Sequence, residues 1–147
     1  MLITEARTDD IEGLARLIWL DTLGEEPAPP SLDAFAGELG AWWAPRRDTH
    51  VAFVARHLDG ELVGMAWVAL LARVPRPGAT GRMSADVQSV FVLPGHRGHG
   101  VGSALVEAAT RFAVDRGALR TTVHSGRRAV GMYARLGFES SPQLRTR

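Results

Sequence analysis

The stretch best suited to chemistry is Val90-Phe91-Val92-Leu93-Pro94-Gly95-His96-Arg97-Gly98-His99-Gly100-Val101-Gly102-Ser103. Strand-forming residues lead into a glycine-rich turn, and the turn leads into a helix N-terminus. At such a terminus the first backbone N–H groups lack intrahelical partners, and the helix dipole adds positive potential. Glycines let a phosphate approach the backbone closely, so several N–H groups can converge on a pyrophosphate. Arg97 offers an additional cationic contact. The dinucleotide fingerprint Gly-x-Gly-x-x-Gly does not fit, because Gly98, Gly100 and Gly102 are spaced by two and position 103 is Ser. The acid that fingerprint needs is also misplaced, since Asp115 falls near a helix end rather than a strand end.

Other residues of catalytic type are few. Tyr133 is the only tyrosine of the chain, and it shares a helical face with Ala129 and Leu136, a placement that by itself reads as packing. Asp86 lies near the start of the strand that feeds the glycine loop, on the alternation shared by Gln88, Val90 and Val92. It reads equally as a general base or as a solvated strand-end carboxylate. His124, at the end of the next strand, is a second candidate base or a satisfied polar core residue. His96 and His99 have a His-x-x-His spacing, but in a loop with no carboxylate beside them, so no metal is expected.

Absences narrow the chemistry further. All 17 basic residues are Arg, and the chain of 147 residues contains no Lys, Cys or Asn. Schiff-base chemistry, a Walker-type lysine, a thiol nucleophile, disulfides and thiolate metal sites are therefore excluded. A GC-rich genome gives the same bias without any functional cause. Net charge is +1 with the signs mixed along the chain, so no nucleic-acid partner is expected. The longest apolar run, near residues 64–72, is too short to span a membrane, and the N-terminus lacks a signal-peptide pattern. A soluble cytoplasmic protein is the expectation.

The elements that must hold these residues emerge from periodicity and turn signals. Residues 2–6 read as a short strand. Asp9 with Glu12 reads as a capping box opening a helix that buries Ile11, Leu14, Ala15, Ile18 and Thr22. The proline-rich residues 24–30 break that helix. Ser31 then caps a second one carrying Leu32, Phe35, Leu39, Trp42 and Trp43. Residues 51–58 and 61–74 are strands joined at Asp59-Gly60, and residues 86–93 form a third long strand. A helix over 100–116, a strand over 119–124, a helix over 127–136 and a last short strand around 143–146 complete the order β-α-α-β-β-β-α-β-α(-β). One domain of mixed α/β type over residues 1–147 is expected.

With these elements in place, the chain resembles the GNAT superfamily of N-acetyltransferases. Arg97-Gly98-His99-Gly100-Val101-Gly102 matches that family's phosphate-loop pattern Gln/Arg-x-x-Gly-x-Gly/Ala. Asp59-Gly60-Glu61-Leu62-Val63-Gly64-Met65-Ala66 is similar to its upstream hairpin. Ala129-Val130-Gly131-Met132-Tyr133-Ala134-Arg135-Leu136-Gly137-Phe138 resembles its Ala-x-x-x-Tyr-x-x-x-Gly-Phe helix. The resemblance covers nearly the whole chain in order. It implies an α+β fold with a central mixed, mostly antiparallel sheet flanked by helices.

The resemblance also implies a function, transfer of an acetyl group from acetyl-CoA to a primary amine by direct attack, without a metal. Val90, Phe91 and Val92 would offer backbone to the pantetheine arm. Arg97, Gly98, His99, Gly100, Val101, Gly102 and Ser103 would wrap the pyrophosphate, and Tyr133 would be the general acid. Asp86 or a held water would be the base. A departure stands at Gly126, where the family commonly has Asn; its backbone would still serve the cofactor, and Arg127 or Arg128 could reach phosphate. Trp19, Trp42 and Trp43 lie on the two helices that border the acceptor pocket in this family, either all as core or with one of them shaping that pocket. Asp21, Glu25 and Glu26 either attract a cationic amine or solvate a loop. The tail after Phe138 is short, so the final strand pair is either reduced or completed by a partner chain in a homodimer. The acceptor is a small-molecule or peptide amine. The alternative is a non-catalytic acyl-CoA-binding regulatory domain.

Overall fold

A computed structural model describes residues 1–123 and 130–139, with side chains described outside 130–132. The chain runs β1 (Leu2–Glu5), α1 (Ile11–Leu23), α2 (Pro29–Trp43), β2 (His50–Arg56), β3 (Leu62–Ala72), β4 (Met83–Val92), α3 (Val101–Asp115), β5 (Thr121–Val123) and α4 (Val130–Arg135). This is the expected order, with strand ends a residue or more inside or beyond those read from the sequence. Gln143 to Thr146, His124 and Gly126 lie outside the described residues.

The five strands form one sheet in the order β1-β2-β3-β4-β5, antiparallel except for the parallel β4–β5 pair. One face packs on α3 through Val63, Ala66, Val68, Ala85, Val87 and Val92 against Leu105, Ala109 and Ala113. The other packs on α1 and α2 through Val54, Met65 and Trp67 against Leu14, Leu17, Leu39 and Trp43. β3 is buried from Leu62 to Ala69, which explains its near-continuous apolar run. Gly64 lies beneath α3, where a Cβ would stand 2.9 Å from the Leu105 side chain and 3.3 Å from the Phe91 carbonyl oxygen.

Several local expectations are corrected. The chain enters α1 through a 3-10 turn over Thr8–Asp10, and Asp10 rather than Asp9 or Glu12 holds the entry. Its Oδ2 accepts the Arg7 N–H at 2.9 Å, and its two oxygens receive the Arg56 guanidinium at 2.9 and 3.0 Å. Thr22 is exposed, and Leu17 takes its place in the buried stripe. Ser31 caps nothing. Pro29 and Pro30 open α2 after Ala28, because a first-turn proline lacks only an N–H that would be unpaired there anyway. Leu58, expected in a strand, is 92% exposed in the turn that Gly60 completes at φ 91°.

Candidate active site

The long strand β4 carries the site, and an irregularity in it decides the geometry. Trp67 pairs with Gln88 and Met65 with Phe91, so Ser89 and Val90 together face the single residue Ala66. Ser89 has φ 52°, the one positive value at a non-glycine residue among the described residues. This is a β-bulge, which bends a strand and re-aims the side chains beyond it. Before it, Ala85 and Val87 face α3 while Asp86 and Gln88 face the α1/α2 side. After it, Val90 and Val92 face α3 and Phe91 faces α1/α2. The alternation read from the sequence, with Asp86, Gln88, Val90 and Val92 on one face, is therefore overturned at Ser89. The extra residue shifts the period-two phase by one.

Beyond the bulge the described partners of β4 lie on its β3 side. Among the described residues, the pairing of β4 with β5 runs from Ala85–Thr121 to Val87–Val123. Among the described residues, no strand lies along the outer edge of β4 from Gln88 to Val92. The Leu93 N–H donates to the Val63 carbonyl at 2.9 Å, toward β3. By strand alternation the amide groups of Val92 and Val90 turn the other way, toward the outer edge of β4. Arg97 reaches back there, its Nε donating to the Val92 carbonyl at 2.8 Å and its guanidinium lying 5.5 Å from the Phe91 ring centre. The cation expected to meet phosphate is thus tied by its Nε to the strand.

The turn itself is backbone. Gly98 and Gly100 hold φ of 81° and 79°, the left-handed region that other residues enter only with strain, and a Cβ on either would meet nothing within 4 Å. Gly100 is the residue before α3 and supplies no side-chain cap. The first intrahelical bond there is Ala104 N–H to the Gly100 carbonyl at 3.0 Å. The N–H groups of Val101, Gly102 and Ser103 belong to the first turn, which helix geometry leaves without intrahelical acceptors. An open cradle lined by such donors suits a diphosphate. His96 and His99 flank the turn, and the His96 ring packs edge-on against His57 of the β2–β3 turn at 5.7 Å.

Asp86 is half-buried and held on both sides. Thr122 Oγ1 donates to its Oδ1 at 3.0 Å, and Gln88 Nε2 donates to its Oδ2 at 3.1 Å. Sequence reasoning missed both partners, and it missed Ser89 as well, because a bulge at serine has no composition signature. Tyr133, on α4, is 5% exposed and sets its ring edge-on to Phe138 at 5.8 Å. Burial pushes its phenol above the ordinary value of 10.0, so the hydroxyl keeps its proton at neutral pH.

The tryptophans separate into roles. Trp43 is 2% exposed, donates Nε1–H to the His50 carbonyl at 2.7 Å and packs on Trp67, so it is core. Trp19 packs edge-on to Phe35. Trp42 is 41% exposed and borders Trp67 and His50, which leaves it available to a ligand. Glu26 is engaged by Arg16, which also reaches Glu61 at 3.3 Å, so its charge is already paired. Partial desolvation raises the Asp21 carboxyl, and the Arg97 charge pulls it the other way. Glu25 is exposed.

A bulged strand, a glycine turn and an uncapped helix N-terminus, set on a five-stranded sheet with helices on both faces, define an α/β protein with a backbone-lined turn suited to an anion. Residues 11–138 match the Acetyltransferase (GNAT) family, and the chain belongs to that family. It is 35% identical over 126 residues to the streptothricin acetyltransferase of Streptomyces lavendulae, covering 79% of this chain and 61% of that one. The chain spans less than two thirds of the curated relatives' length, for example 42% of an uncharacterized N-acetyltransferase of Methanocaldococcus jannaschii. In fold it resembles a transcriptional regulator from Bacillus halodurans, with a TM-score of 0.79 at 24% identity over 99% of this chain and 97% of that one.

Proposed function

We propose that residues 1–147 act as one domain that moves an acetyl group from acetyl-CoA to a primary amine. The observation that carries this reading is the bulge at Ser89, followed by the glycine turn into the uncapped start of α3. The turn would hold the pyrophosphate through Arg97, Gly98, His99, Gly100, Val101, Gly102 and Ser103, and Gly126 would lend its backbone. The outer edge of β4 at Val90, Phe91 and Val92 would take the pantetheine arm and direct a backbone N–H at the thioester oxygen, where charge develops as the amine attacks.

In the step itself the amine nitrogen bonds to the thioester carbon and the carbon–sulfur bond breaks. The amine's proton passes to Asp86 or to a water held by it. The departing thiolate, whose thiol pKa is about 8.5, takes a proton from Tyr133. The hydrogen bonds from Gln88 and Thr122 fix the Asp86 carboxylate in one orientation and support this role.

The test is release of CoA thiol from acetyl-CoA across a panel of primary amines, run beside Tyr133→Phe and Asp86→Asn. Amine-dependent release that falls roughly 100-fold or more in Tyr133→Phe, the scale of a lost general acid, is the expected result. Tight CoA binding without turnover on any amine would favour the non-catalytic regulatory domain instead. Failure to bind CoA would remove the phosphate-loop assignment.

A further inference from the structure

The hairpin joining β3 and β4 gathers charge that the sequence as a whole conceals. From Leu71 to Ala85 the chain holds Arg73, Arg76 and Arg82 and no acidic residue. The Arg73 N–H donates to the Arg82 carbonyl at 2.9 Å, so the two arginines face each other across the ladder. None of the three forms an ion pair among the described residues. Desolvation, and then the charges of Arg76 and Arg73, push the Arg82 guanidinium down. Like charges gathered without a carboxylate among them favour an anion from outside.

This charge shares a face with Asp86. Strand alternation keeps Asp86, Ser84 and Arg82 on the α1/α2 side of β4, and Leu71 pairs with Ser84 on β3. Leu71 is 60% exposed there. A track therefore runs from Asp86 past Leu71 to the Arg82–Arg73 pair. At roughly 3.3 Å per residue its four-residue length is about 13 Å. On the far side of Asp86 the same face closes, because Phe91 packs into the α1/α2 core.

We propose that this track seats an extended peptide, with its N-terminal amine at Asp86 and an acidic side chain three to four residues on at Arg73, Arg76 and Arg82. The inference rests on the acetyl-transfer reading for the amine's position and adds the class of acceptor. A track open in one direction suits a chain end. Its length matches that of an extended peptide, whose spacing per residue is the same. Leu71 supplies an apolar contact midway. Single-stranded nucleic acid fits less well, since residues 71–85 offer no aromatic ring for a base to stack on.

The experiment uses octapeptides with free N-termini carrying Glu, Ala or Lys at positions four and five. Binding is read by fluorescence anisotropy with CoA present, and acetylation is read by thiol release. The Glu peptide should bind about tenfold more tightly than the Ala peptide at low salt, and the Lys peptide more weakly than either, as summed exposed ion pairs allow. The advantage should shrink as salt shortens the screening length. Arg73→Glu combined with Arg76→Glu should reverse the preference while leaving unchanged the turnover of a small primary amine that carries no other ionisable group. Equal binding of the Glu and Ala peptides, or a preference that survives in the double variant, overturns the proposal. So does arginine-dependent binding of anionic vesicles or oligonucleotides without a preference for the Glu peptide. Arginine-dependent peptide binding with no transfer to any amine would uphold the track and count against acetyl transfer alone.

Discussion

Tyr133 and Asp10 are both buried, yet burial acts on them in opposite settings. For Tyr133 no partner charge among the described residues offsets desolvation, so the phenol is raised and stays neutral. In the general-acid role proposed for it Tyr133 must carry its proton, so activity should hold up to the raised value and fall as pH climbs through it. A kcat profile extended into the alkaline range checks this, and Tyr133→Phe should lose the alkaline limb. For Asp10 the Arg56 hydrogen bond outweighs desolvation and lowers the carboxyl below 3.8. A depressed folded-state value means the contribution to stability is fully present above the unfolded value near pH 4. It is lost as pH falls through the folded one. Asp10→Ala leaves the Arg56 guanidinium without its partner and should cost about 2–4 kcal/mol in denaturant unfolding at pH 7. The gap between variant and parent should close in acid.

Among the elements, β4 carries the bulge at the centre of the proposed site, and that bulge has a conformational cost. A serine at φ 52° occupies a region that disfavours a Cβ by roughly 1–2 kcal/mol. Ser89→Gly should therefore be neutral or stabilising by up to about 1 kcal/mol, whereas a β-branched Ser89→Val should destabilise, both read from the urea midpoint. The turn into α3 makes the complementary case. Gly100→Val forces a branched side chain into the left-handed region and places it over the cradle. It should raise the KM for acetyl-CoA about tenfold or more, with a smaller loss in kcat. The binding motif was legible because glycines at fixed spacing before a helix have a mechanical meaning. The bulge was not legible, since the Gln88-Ser89-Val90 run contains no residue that demands it.

At the scale of the molecule, two cores on opposite faces of the sheet hold the site in place. Gly64 lets α3 sit close on β3, with Leu105 directly above it. Gly64→Ala should cost about 1–3 kcal/mol, the range for overpacking a filled core. Because α3 follows directly on the proposed phosphate turn, acetyl-CoA affinity should weaken along with the thermal midpoint. The site also spans separate parts of the chain: Thr122 on β5 holds Asp86 on β4, and His57 on the β2–β3 turn touches His96 in the loop. These contacts join residues 36 and 39 positions apart, which no local pattern could pair.

By itself the sequence determined the order of elements, the glycine turn, the exclusion of lysine and thiol chemistry, and the family. Each of these rests on interactions within a few residues: periodicity of apolar side chains, turn geometry, and the first turn of a helix. Only the tertiary structure decided that Asp86 and Val92 face opposite sides, that Arg97 is tied to the strand, and that Trp43 is core while Trp42 remains exposed. It also decided that arginines diluted to a net charge of +1 along the chain stand together on one hairpin. The physical reason is the same in each case. One extra residue in a ladder, or one cross-strand pairing, sets which way a side chain points, and that choice is made by partners distant in sequence.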